Sequence, residues 1–150
     1  MDEGVERIKR LSQQARSLGD DARAASEADR AWREENKASL ERLEVSIPAR
    51  LRQLAGAANG DLTFEDAAFR SRTATAMQIK WRPSGREGHE VELWLLRETG
   101  SVEWRWAMGH REAPIVHRVP ASAFDLNRFD DLVAALAEPE RWRDGHPPEV

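Results

Sequence analysis

Residues 72–82, RTATAMQIKWR, decide the fold. Thr73, Thr75, Met77, Ile79 and Trp81 alternate with Arg72, Ala74, Ala76, Gln78, Lys80 and Arg82. A period of two belongs to a strand that turns one face toward a core. The same period recurs downstream. After a loop marked by Pro83-Ser84-Gly85 and Gly88, Val91, Leu93 and Leu95 alternate with Glu90, Glu92, Trp94 and Leu96. After Thr99-Gly100, Val102, Trp104, Trp106 and Met108 alternate with Glu103, Arg105 and Ala107. Residues 115–119 make a short fourth strand that ends at Pro120. The expected sheet is a four-stranded antiparallel meander with one apolar face. A two-residue turn at Thr99-Gly100 would pair Leu95 with Trp104, Leu93 with Trp106 and Val91 with Met108, setting apolar against apolar.

Helices flank the sheet. Residues 123–137 carry Leu126, Phe129, Leu132, Val133 and Leu136 at helical spacing, with Ser122 or Asp125 as a cap and Pro139 as a stop. This amphipathic helix should lie on the apolar face of the sheet. Residues 61–69 fit a short helix or a strand. At the other end, residues 1–45 hold seven alanines among good helix formers and read as a long N-terminal helix. Leu18-Gly19-Asp20 would also suit a cap and restart, giving a hairpin. The apolar stripe stays in phase across Gly19, which favours one helix. Pro48 suits a first helical turn, so a second short helix is expected over residues 47–58. The fold class is therefore α+β, organised as a helical, coiled-coil-like segment (1–45), an α+β domain (46–140) and a polar tail (141–150) with Trp142 as an anchor.

The stripe on the first helix runs through Ile8, Leu11, Ala15, Leu18, Ala22, Ala25 and Trp32, then shifts to Leu40, Leu43 and Ile47. Asp29 and Asn36 interrupt it, and 11 acidic residues against 9 basic ones in residues 1–45 nearly cancel. Such a stripe has to be buried somewhere. Ile8, Leu11, Leu18, Trp32, Leu40 and Leu43 are accordingly the expected partner-binding seam, toward another protein or a second copy of the chain.

Composition narrows the function classes. Of the 150 residues 33% are charged, and the mean hydropathy is -0.71, which suits a chain with an exposed elongated element. The net charge of -4 argues against a generally basic nucleic-acid coat or an anionic-membrane binder. With no cysteine there is no disulfide, thiolate nucleophile or cysteine metal site. The charged N-terminus shows no signal peptide and no stretch is apolar enough to span a membrane, so a cytoplasmic protein is expected. The excess of Arg and Ala over Lys suggests a GC-rich bacterial genome.

Motifs for chemistry are scarce. His89, His110, His117 and His146 lack ligand-pair spacing, so no metal or other cofactor is expected. No G-x-S-x-G or phosphate-binding glycine motif occurs. The expected function is a non-enzymatic interaction or adaptor protein that oligomerises, a homodimer included, or docks through its N-terminal helix. A different reading takes Arg70, Arg72, Lys80, Arg82, Trp94, Leu96 and Arg105 as a recognition surface, able to stack and neutralise single-stranded nucleic acid. A third is a small enzyme around Glu65, Asp66, His89 and His110.

Overall fold

The computed structural model describes residues 2–86, 88–109, 112–143 and 145–150. In chain order the elements are α1 (Glu3–Ala57), β1 (Leu62–Arg70), β2 (Ala74–Trp81), β3 (His89–Leu96), β4 (Ser101–Trp106), β5 (Ile115–Pro120) and α2 (Leu126–Ala137). The protein is α+β. It divides into two compact units, one ending at Glu35 and the other spanning Asn36–Val150.

Helix α1 corrects the expected boundaries. It runs unbroken for 55 residues through both Gly19 and Pro48, so there is neither a hairpin nor a separate second helix. Gly19 has open space around it and caps nothing. Pro48 cannot donate to the carbonyl of Glu44, a defect worth about 3 kcal/mol inside a helix. The flanking turns compensate. Leu43, Ile47 and Leu51 are buried in the core, and full burial of each is worth about 1.5–3 kcal/mol. The tertiary term outweighs the local one.

The sheet also departs from expectation: it has five antiparallel strands, in the order β1-β2-β3-β4-β5. The additional strand is β1, the stretch that read two ways. Leu62, Thr63, Phe64 and Glu65 pair with Trp81, Lys80, Ile79 and Gln78, and pairing resumes with Phe69 opposite Ala76. Residues 66–68 form a bulge opposite Met77. Bulges of this kind blunt an edge strand that would otherwise invite further pairing.

Between β3 and β4 the register is shifted by two residues from the expected one. Val91 faces Trp106, Leu93 faces Trp104 and Leu95 faces Val102. The strands stop at Leu96 and Ser101, which makes the connection four residues long. A shift of two preserves the face of every side chain, so the apolar pairing survives with different partners.

The core of the second unit lies on one side of this sheet. Leu40, Leu43, Ile47 and Leu51 of α1 and Phe129, Leu132 and Leu136 of α2 join Met77, Ile79, Leu93, Trp104 and Trp106 in one cluster. The Asp125 side chain caps α2 by accepting from the Arg128 amide at 2.8 Å. A two-pronged ion pair ties the helices together: the Arg50 guanidinium donates to both oxygens of Asp130 at 2.9 Å. Trp142 and Val150 are held against the rest of the fold. The Trp142 indole donates to the Ala135 carbonyl at 2.8 Å, and Val150 packs on the core.

Candidate functional site

Three surfaces place the residues singled out from the sequence. The first is the stripe on α1 within the unit that ends at Glu35. Every described residue from Asp2 to Glu35 is exposed, the large apolar ones included. Ile8 is 65%, Leu11 50%, Leu18 70% and Trp32 45% exposed. Surface ion pairs Lys9–Glu6, Arg23–Asp20 and Arg33–Asp29 run along this stretch, each worth a few tenths of a kcal/mol (about 0.2–0.5). Leu40 and Leu43 differ. They are 3% and 6% exposed and belong to the core of the second unit, so they are removed from the expected seam. The physical reason is the shift in the stripe: from Asn36 onward the helix turns a different set of residues inward, toward its own sheet.

The second surface is the sheet face opposite the core. Lys80, Trp94, Leu96 and Arg105 share it, by the alternation along β2, β3 and β4. Its arginines are engaged in ion pairs. Lys80 faces Glu90 across the strands. The Arg105 guanidinium lies 4.3 Å above the Trp94 ring and contacts Glu103 at 2.6 Å, while Arg118 reaches the same carboxylate at 2.9 Å. Burial by itself would raise the Glu103 pKa, but hydrogen bonds and charge from Arg105 and Arg118 together hold it below the ordinary carboxylate value. Phe69 also packs on Trp94, with ring centroids 5.2 Å apart and the planes tilted by 39°. Arg72 lies in the β1–β2 turn and Arg82 just beyond β2, both exposed, and Arg70 lines a different surface. The seven residues do not form one patch.

The third surface was not anticipated from the sequence. A cleft of about 350 Å³ opens between α1 and the bulged strand β1. Helix α1 contributes Glu44, Pro48 and Arg52, the edge strand contributes Asp66 and Arg70, and Thr75 and Met77 of β2 complete the lining. Glu44 is satisfied by Arg97, whose guanidinium donates to it at 2.6 Å and also to Thr75 Oγ1 and the Ser71 carbonyl. The signal that marks this cleft was present in Leu62, Phe64 and Asp66: the inward positions of β1 turn from apolar to charged where the bulge begins.

Of the residues of the enzyme reading, the described ones, Glu65, Asp66 and His89, are not brought together. Asp66 lines the cleft, whereas Glu65 lies beside Gln78 and Lys80 at a separate shallow pocket. His89 is stacked on Trp142 at 3.8 Å, and burial lowers its pKa from the ordinary value. His110 lies outside the described residues. His117 stacks on Trp104 at 5.5 Å. Among the described residues no three His, Asp or Glu side chains converge as metal ligands, and no helix is long and apolar enough to cross a membrane.

No family model matches the chain, and no curated protein or solved structure is significantly similar to it.

Proposed function

We propose that this is a non-catalytic interaction protein that assembles through the apolar stripe of α1 within residues 2–35. One observation carries the reading: Val5, Ile8, Leu11 and Leu18 are all at least half exposed on a single continuous helix. The stretch of α1 that leaves Val5, Ile8, Leu11 and Leu18 exposed gains little there from tertiary packing and gains much by pairing. The folded unit of residues 36–150 keeps its own core, so assembly is not needed to complete that fold. On this reading the helix joins the protein to a partner, and the charged cleft beside β1 remains available as a second contact surface.

Light scattering of the full chain tests this. The wild type should be an oligomer at micromolar concentration. L11K and L18K, both at exposed positions, should lower the mass to that of a monomer without changing the melting of the folded unit. A monomeric wild type that recovers the same cellular proteins as the L11K/L18K double variant would overturn the reading.

A further inference from the structure

The exposed part of α1 also carries a direction. Positions 8, 11, 15, 18, 22, 25, 29 and 32 follow strict three-four spacing, the seam of a two-helix coiled coil. Two copies can meet along it in parallel or antiparallel, and charge separates the alternatives. Residues 7–16 hold Arg7, Lys9, Arg10 and Arg16 and no acid, a net +4. Residues 20–35 hold Asp20, Asp21, Glu27, Asp29, Glu34 and Glu35 against Arg23, Arg30 and Arg33, a net -3. Parallel pairing lays each block against its own copy and sets Asp29 against Asp29. Antiparallel pairing lays the basic block beside the acidic one.

We infer that α1 pairs with a second copy of this chain in antiparallel orientation, crossing near Asp20, so that residues 5–19 of each copy, net +3 once Glu6 is counted, lie along residues 21–35 of the other, net -2. The inference rests on the assembly reading above and adds partner and polarity to it. In this register every seam position finds a counterpart: Ile8 with Trp32, Leu11 with Asp29, Ala15 with Ala25 and Leu18 with Ala22. Asp29 is tolerable in the seam because Arg33 already holds its carboxylate at 2.8 Å on the same helix. Arg7 meets Glu35 at both ends. Ser12 flanks Ser26 and Gly19 flanks Gly19, small side chains that let the two backbones approach closely. The paired stretch from Ile8 to Trp32 is about 36 Å long at 1.5 Å per residue. Asp21 against Asp21 at the crossing is the like-charge contact this register accepts.

The absence of cysteine makes the test clean. Full-length S12C and S26C chains, both altered at exposed serines, are mixed and oxidised mildly. Antiparallel pairing gives a disulfide-linked S12C–S26C species in excess over S12C–S12C. In addition, D21N tightens the dimer by about twofold through relief of the central repulsion. Dominant S12C–S12C linkage, or a dimer that D21N leaves unchanged and that yields no mixed species, overturns the antiparallel inference and leaves the assembly reading standing. A wild type that is monomeric by light scattering and yields no linked species overturns both.

Discussion

Asn36 sits so tightly against Gly100 that a β-carbon on the glycine would lie 2.8 Å from the asparagine's own. The two residues join the first inward turn of α1 to the β3–β4 loop. Asn36 Oδ1 accepts from the Ser122 amide at 2.9 Å, and the Gly100 carbonyl accepts from the Ala121 amide at 2.8 Å. Gly100 also has φ of +64°, the left-handed region that costs other residues about 1–2 kcal/mol. G100A should therefore lose roughly 2–3 kcal/mol in urea unfolding, the sum of conformation and clash. Measured in an N36G background, which by itself loses the Ser122 hydrogen bond and helix propensity, the same substitution should cost about 1 kcal/mol less, because the clash is gone.

Glu103 is the anchor of the open sheet face. Its side chain is 6% exposed and is held by Arg105 and Arg118. E103Q keeps the shape and removes the charge, and should cost about 1–2 kcal/mol at neutral pH. The sign of the pH dependence follows from a depressed carboxylate. The stabilisation is complete above the ordinary value of 4.5 and fades as pH falls through the folded value. Wild type and E103Q should therefore differ at pH 7 and converge in strong acid. A constant gap across this range in thermal melts would refute the assignment.

His89 provides an earlier step on acidification. It is stacked on Trp142, which in turn meets Trp106 edge-on at 5.5 Å. Burial disfavours the imidazolium, so the folded chain binds this proton less readily than the unfolded chain does. Stability should begin to fall as pH drops below the ordinary histidine value of 6.5, before Glu103 titrates. H89F, which keeps an aromatic stack, should abolish this first step in a pH series of melting temperatures. W142A should shrink it by admitting water.

Pro48 offers a test of how the core governs α1. P48A restores an amide donor within bonding reach of the Glu44 carbonyl and should stabilise the fold by about 1–3 kcal/mol. Leu51→Ala, three residues further on and fully buried, should cost about 2–5 kcal/mol. Chemical denaturation of the two variants measures both directions.

Much of the fold was legible in the residues, and the exceptions share a cause. The alternation in β2, β3 and β4 placed Met77, Ile79, Leu93 and Trp104 on one face because that pattern records burial directly. The spacing of Phe129, Leu132, Val133 and Leu136 did the same for α2. Pro48 misled because its local cost is visible in the chain while the offsetting contacts of Ile47 and Leu51 are not. Strand β1 stayed ambiguous because the bulge at residues 66–68 interrupts its period. Thr99-Gly100 gave the wrong register because a turn motif does not state where its strands stop. Among the candidate site residues, Ile8, Leu11 and Leu18 are exposed as a seam requires. Leu40 and Leu43 already lay on a shifted stripe, but such a shift does not reveal whether its counterpart is the same chain or another.

The continuity of α1 between Glu35 and Asn36 has an energetic consequence. Starting a helix is costly and lengthening one is cheap. The stretch from Asn36 to Ala57, pinned by Leu40, Leu43, Ile47 and Leu51, acts as a permanent seed from which the outer turns grow. Hydrogen exchange should accordingly slow in a gradient from the Asp2 end toward Glu35, like a rope frayed only at its tip. A partner that binds the outer turns meets a segment already coiled, and most of the ordering entropy has been settled before the encounter.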